Sequence, residues 1–114
     1  TLNIYEDGEI VRDFVYVSDV VAAFHRLCEM ESVPEETMDI GSGKGATILE
    51  VARTMIEALG LNGECLTITG QFRPGDIRFA VADISAAEQT LGWTPEVSLK
   101  DGLATLVAWA RETQ

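Results

Sequence analysis

Two short segments of this chain hold three of its eight basic residues, and the residue types there could do chemistry. The first is Arg12-Asp13-Phe14-Val15-Tyr16-Val17-Ser18-Asp19-Val20, and the second is Phe72-Arg73-Pro74-Gly75-Asp76-Ile77-Arg78. A guanidinium meets a phosphate with two parallel donors, a geometry that a lysine ammonium cannot copy. Arginines from two distant segments could therefore hold the two phosphates of a diphosphate from two sides. Each charge-assisted bond contributes about 1.5–3 kcal/mol, or about 10- to 100-fold in affinity. Asp76 could accept a bond from a sugar hydroxyl beside that diphosphate. The competing reading is that the arginines pair with Asp13 and Asp76, and that Gly75-Asp76 is a turn whose aspartate bonds to its own backbone.

The net charge of −11 narrows the partners. A field of that sign repels nucleic acid and anionic membrane, so neither is expected, whereas arginines gathered on an acidic protein suit a small anionic ligand. With 114 residues and 46% hydrophobic content, one folded domain with its own core is expected. No apolar run approaches the roughly 18–20 residues that cross a bilayer. Thr1-Leu2-Asn3-Ile4-Tyr5 shows neither a basic region nor a cleavage pattern. Starting without Met, the chain suits a fragment of something longer. Cys28 and Cys65 are far apart and join no Cys-x-x-Cys or Cys/His cluster, so structural zinc is not expected. Two free thiols fit a reducing cytoplasm, the expected location. His25, alone on a predicted helix, reads as a surface or packing residue.

The elements that must position these residues are read from periodicity. Leu2 to Tyr5 and Ile10 to Val17 read as extended, with Asp7-Gly8 as a turn between them. Ser18 reads as the N-cap of a helix from about Asp19 to Met30, with Val20, Val21, Phe24, Leu27 and Cys28 on one apolar face. Asp13 and Asp19 are expected to support Arg12 and that helix start. Thr37 to Ile40 reads as a strand and Gly41 to Gly45 as a turn. Thr47 with Glu50 is a capping box opening a helix that ends at Gly60, with Ile48, Val51, Ala52, Met55, Ile56 and Leu59 buried. Cys65 to Thr69 is a predicted strand, Gln71 to Asp76 a loop, and Ile84 to Leu91 a helix stopped by Gly92. Ser98 with Asp101 reads as a second capping box, opening a helix with Leu99, Leu103, Leu106, Val107 and Ala110 on its core side. Trp93 and Trp109 read as packing residues.

The run Asp39-Ile40-Gly41-Ser42-Gly43-Lys44-Gly45 imitates a cofactor site. Strand, glycine turn and helix resemble the first motif of S-adenosylmethionine-dependent methyltransferases, and loosely a dinucleotide fingerprint. Three features count against both. The strand is short and led by polar Glu35-Glu36-Thr37, the next strand ends without an acid for a ribose, and little chain remains for a full sheet.

The two arginine motifs, followed by Ala82-Asp83-Ile84-Ser85 and Leu91-Gly92-Trp93-Thr94-Pro95, resemble the carboxy-terminal part of nucleotide-sugar epimerases and dehydratases of the extended short-chain dehydrogenase/reductase family. Order and rough spacing agree over nearly the whole chain. The stretch Thr69-Gly70-Gln71-Phe72-Arg73 with Gly75-Asp76-Ile77-Arg78 is most similar to the deoxythymidine-diphosphate-hexose 4-epimerases, including rhamnose epimerases. The resemblance implies an α/β fold of about four helices and short strands, with residues 1–114 forming the substrate-binding carboxy-terminal region of a Rossmann-type enzyme. It implies that Arg12 and Arg73 clamp the pyrophosphate and Asp76 contacts the nucleoside sugar, and that the stretch around Asn3 and Tyr5 touches the base through its main chain. The parent would be a homodimer that uses NAD to oxidise the sugar at C4, lets the keto intermediate rotate, and returns the hydride to the other face. A 4,6-dehydratase or decarboxylase fits the same resemblance, and a non-catalytic nucleotide-sugar-binding module is the alternative of another class. The family's glycine-rich NAD turn and its Tyr-x-x-x-Lys pair are not in this sequence: Tyr5 is followed four residues on by Glu9, and Tyr16 by Val20. The piece alone is therefore expected to bind no NAD and to be inactive. It is also expected to self-associate, because Phe14, Tyr16, Val21 and Phe24 would lack the amino-terminal sheet they pack on.

Overall fold

Apolar residues recur every three to four positions in four stretches, and each stretch is a helix in the computed structural model, which describes residues 1–113. In chain order the elements are β1 (Leu2–Ile4), β2 (Val11–Asp13), α1 (Val17–Glu29), β3 (Gly45–Thr47), α2 (Ile48–Leu59), a 3-10 turn (Gly63–Cys65), β4 (Leu66–Ile68), β5 (Phe79–Ala80), α3 (Ser85–Leu91) and α4 (Leu99–Glu112). The strands form two small sheets among the described residues. β1 pairs in parallel with β4, Asn3 opposite Thr67. β2 lies between β3, antiparallel, and β5, parallel.

Two packing centres hold these pieces. Ala23 of α1, Ala87 of α3 and Trp93 form a buried cluster, with Met38, Ile40, Ile84 and Leu91 packed around it. The indole Nε1 of Trp93 donates to the carbonyl of Asp19 at 2.9 Å, satisfying the one polar atom of a ring that is 1% exposed. The second centre lies between α2 and α4, where Ala52 and Ile56 are buried on one helix and Leu103 and Val107 on the other. The result is a slab of 53 × 36 × 19 Å with a radius of gyration of 16.8 Å. A compact domain of roughly this length would have about 13 Å.

The caps show which local signals carried. Thr47 and Glu50 form the expected reciprocal box, and Gly60 (φ +70°) and Gly92 (φ +56°) terminate their helices in the left-handed conformation. Ser98 caps α4 by accepting from the Asp101 N–H, but the bond is not reciprocated to the backbone. The Asp101 carboxylate accepts instead from the Ser98 hydroxyl, because aspartate is one methylene shorter than the glutamate of a full box.

Other expectations fail for identifiable reasons. Ser18 is not an N-cap: α1 begins at Val17, Tyr16 flanks it without a side-chain cap, and the Tyr16 carbonyl takes the N–H of Asp19 and of Val20. Ile10 to Val17 is a strand only over Val11–Asp13. Thr37 to Ile40 forms no strand among the described residues. Its alternation is real, since Met38 and Ile40 are half-buried on the Trp93 cluster while Thr37 and Asp39 are exposed, but its backbone joins no ladder. Trp109 and Leu106 are 60% and 46% exposed, so neither belongs to the core. Helix α1 also carries a second apolar stripe, with Val17, Val21 and Phe24 each at least 60% exposed.

Trp93 fills the centre of the first cluster, so Trp93→Ala is expected to cost about 3–5 kcal/mol, a large part of a small domain's stability of about 5–15 kcal/mol. Urea denaturation of the two proteins measures this directly.

Candidate functional site

Strand β2 sets Arg12 between Ala46 of β3 and Ala80 of β5, two short neighbours that leave its long side chain free to run along the sheet. Its Nη1 donates to the carbonyl of Val11 and its Nη2 to Asp76 Oδ1, both at 2.8 Å. Asp76 closes a turn whose other end is Arg73: the Asp76 N–H donates to the Arg73 carbonyl at 3.1 Å. Pro74 and Gly75 occupy the middle, with Gly75 at φ +85°, the proline-then-glycine arrangement of a type II turn. Arg73 extends over the ring of Tyr5, its guanidinium carbon 5.3 Å from the centroid, within range of a cation–π contact. Tyr5 directly follows β1, and Asn3 and Tyr5 are exposed on either side of buried Ile4.

Four of the expected site residues thus meet around one turn. Arg12 bonds to the acid at one end, Arg73 forms the other end, and Tyr5 backs Arg73. Asn3 lies two residues from Tyr5 on the same strand run. The Asp76 carboxylate is held by Arg12 across the fold and is not self-bonded. Arg78 is committed elsewhere. Its fork spans the carboxylates of Glu6 at 2.8 Å and Asp7 at 2.9 Å, and so fastens the turn after β1, where Glu6 has φ +49°. The bond from Arg78, with a second from the Glu9 N–H, holds the Asp7 carboxyl below its usual value, and the same bond raises Arg78.

Asp13 does something the sequence did not reveal. It does not bond to the Arg12 side chain; its carboxylate takes four hydrogen bonds from elsewhere. Oδ1 accepts from the Ser42 N–H (2.7 Å) and the Ser42 hydroxyl (2.6 Å), and Oδ2 from the N–H of Gly43 (3.0 Å) and of Ala82 (3.2 Å). Partial burial pushes its pKa up, the bonds from Ser42, Ala82 and Gly43 push it down, and the bonds prevail. This explains the glycines. A Cβ on Gly41 would lie 2.6 Å from the Ala82 Cβ and 2.7 Å from Asp13 Oδ2, and one on Gly45 would lie 2.6 Å from Val11 Cγ1. Their missing side chains leave room for Asp13, Ala82 and Val11.

The following helix start is equally occupied. Ile48 N–H donates to the Ile10 carbonyl, Leu49 N–H to the Gly8 carbonyl, and Glu50 N–H to the Thr47 hydroxyl. Nor does the turn lead straight into that helix, since β3 intervenes. A phosphate would find no free donor among these groups.

A concavity of about 520 Å³ lies between the starts of α2 and α4, lined in part by Phe14, Ser42, Lys44, Pro95 and Ser98. The arginine turn is not in that lining. Concavity and chemistry therefore lie apart, and the arginine turn is the stronger candidate, because both helix starts at the concavity are already capped. Among the described residues no group of three His, Cys, Asp or Glu is arranged for a metal, and no helix is long and apolar enough to cross a membrane. His25 faces Glu29 at 3.5 Å on the surface of α1.

A family model described as GDP-mannose 4,6 dehydratase matches residues 1–106. The chain belongs to that family. A dTDP-L-rhamnose 4-epimerase from Burkholderia thailandensis is 38% identical over 106 residues, 93% of this chain and 29% of that protein. The crystal structure of the UDP-glucose 4-epimerase of Thermotoga maritima with UDP-glucose is 38% identical, with a TM-score of 0.87, covering 98% of this chain and 35% of that one. MoeE5 in complex with UDP-glucuronic acid and NAD is 34% identical, with a TM-score of 0.89, over 99% of this chain and 37% of that one. The relatives of this family member are enzymes, epimerases and decarboxylases of nucleotide sugars among them, and the chain spans about a third of their length.

Because the Asp13 pKa is lowered, the stabilisation it gives is complete above the unfolded value of about 3.9 and is lost as pH falls through the folded one. Asp13→Asn turns an amide donor towards N–H groups and is expected to cost about 1–3 kcal/mol at pH 7. Urea titrations at pH 7, 5 and 3 should show the gap between the two proteins closing only below about pH 4.

Proposed function

We propose that residues 1–114 are the substrate-binding carboxy-terminal region of an NAD-dependent nucleotide-sugar epimerase. Arg12 and Arg73 hold the diphosphate, Asp76 takes a hydroxyl of the nucleoside sugar, and the stretch of Asn3 and Tyr5 lies along the base. The observation that carries this is that Arg12 of β2 pairs with Asp76 at one end of a turn whose other end is Arg73. The 38% identity to a 4-epimerase structure that contains UDP-glucose supports it. Similarity to two 4-epimerases favours epimerisation over the dehydratase and decarboxylase reactions of the same family.

The described residues do not fit NAD. The N–H groups of Ser42, Gly43 and Lys44 in the glycine turn, and of Ile48, Leu49 and Glu50 at the start of the helix after it, are engaged within the protein, two of them by Asp13. The cofactor and the acid–base pair then belong to an amino-terminal domain outside these residues, and this region's part is to bind and orient. Binding energy spent on the remote diphosphate fixes the reacting sugar carbon in place. The exposed stripe Val17, Val21 and Phe24 on α1 is the face that packs on that domain, and in the isolated chain it drives self-association.

Titration of the chain with UDP should show weak saturable binding, with no binding of NAD. Arg12→Ala and Arg73→Ala should each weaken UDP by about 10- to 100-fold, and variants that bind as well as the parent would refute the assignment. Sedimentation over a range of concentrations should show a growing oligomer. A monomer at every concentration would show that the α1 stripe needs no cover.

A further inference from the structure

One acidic residue holds both ends of the loop that carries Arg73 and Asp76. The Glu6 N–H donates to the Gln71 carbonyl at 2.7 Å, where the loop begins. The Glu6 carboxylate accepts from Arg78 Nη1 at 2.8 Å, where the loop ends, and the Asp7 carboxylate accepts from Arg78 Nη2 at 2.9 Å. The Arg78 carbonyl in turn accepts from the Val11 N–H at 2.8 Å, one residue before Arg12. Resting on the reading that this loop helps to hold a diphosphate, we infer that Glu6 and Arg78 are positioning residues of the site. They form a clamp that keeps the Arg73–Asp76 turn in its binding shape, and they act through that turn rather than by touching the ligand.

The loop needs such a clamp. Every residue from Gly70 to Ala80 is exposed, so little buried apolar surface orders it, and its shape rests on polar contacts. The surface it is tied to is firmer. The Gly8 carbonyl accepts from the Leu49 N–H in the first turn of α2, and the Asp7 carboxylate accepts from the Glu9 N–H, so the turn that follows β1 is fixed to a helix. Glu6 has φ +49°, a left-handed conformation that a side chain disfavours and that persists only where surrounding contacts hold it. The contacts here are those to Gln71 and Arg78. The planar fork of Arg78 reaches two carboxylates at once, a geometry that a lysine ammonium does not reproduce. One exposed ion pair orders little, whereas a network of three charges orders more. A loop that is ordered before the ligand arrives does not have to be ordered by it, so the clamp raises affinity.

The sign of the charge provides the test. Glu6→Gln removes a negative charge from the neighbourhood of an anion, so simple electrostatics predicts tighter binding of UDP, whereas loss of the clamp predicts weaker binding. Calorimetric titration of the full chain with UDP should find Glu6→Gln about two- to five-fold weaker than the parent. Arg78→Lys keeps the charge but not the fork and should lose about as much. The double variant should be no weaker than either single one, since both break the same contact. Without ligand, nitrogen-15 relaxation should show Gly75 and Asp76 more mobile in each variant, with Leu103 and Val107 of the helical core unchanged. A Glu6→Gln variant that binds UDP as tightly as the parent, or more tightly, would overturn the inference. So would relaxation at Gly75 and Asp76 that does not change. Arg12→Ala and Arg73→Ala, measured alongside, separate the two readings: if they weaken UDP while the Glu6 and Arg78 variants do not, the diphosphate reading stands and the clamp falls. If the parent binds no UDP, the diphosphate reading fails, and the clamp's part in binding fails with it.

Discussion

A single carboxylate joins three stretches of backbone that are distant in sequence. Asp13 ends the central strand of the three-stranded sheet and receives bonds from Ser42, Gly43 and Ala82, which approximately fills the lone pairs a carboxylate can offer. These contacts fix the glycine turn before β3 and the segment that follows β5 on either side of β2. Arg12 is the preceding residue, so its position between β3 and β5 depends on the same contacts. Six residues on, the buried Asp19 plays a similar part: its carboxylate accepts from the Val97 N–H, and its carbonyl from Trp93. In one short motif, then, the two acids hold the fold and the arginine before them pairs with Asp76.

That division of labour was only partly legible in the sequence. Signals that act within a few residues mostly carried, although Ser18 does not cap α1 and the Ser98–Asp101 box is incomplete. The Thr47–Glu50 box, the glycine stops at Gly60 and Gly92 and the periodicity of the three longer helices need no distant partner. Signals that depend on tertiary partners did not carry. The alternation at Thr37 to Ile40 buries the right residues without a ladder to join, and the apolar face expected for α1 is divided between the Trp93 cluster and solvent. Trp109 shows the same limit, since a large apolar residue is buried only where another element covers it. The role of Asp13 is not marked in the sequence because three of its four donors are backbone N–H groups, which every residue but proline carries.

The arginine turn was legible for the opposite reason. Guanidinium, proline, glycine and carboxylate are distinctive types at short spacing, and the turn they form follows from the backbone preferences of Pro74 and Gly75. What spacing could not tell was which arginine is free. Arg73 and Arg78 belong to one motif, yet one lies over a tyrosine ring and the other is locked between two acids. Carboxylates are abundant on a protein of net charge −11, yet of the arginines among the described residues only Arg12 and Arg78 form ion pairs with them.

The claim beneath the rest is that the charged Asp13 carboxylate holds the frame on which Arg12 is placed. Carbon-13 NMR of the side-chain carboxyls through an acid titration tests it most directly, read together with the amide shifts of Ser42, Gly43 and Ala82. The account requires Asp13 to titrate below the usual aspartate value, with all three amides moving at the same midpoint. An Asp13 that titrates at or above the usual value, or amides that move independently of it, would contradict the account.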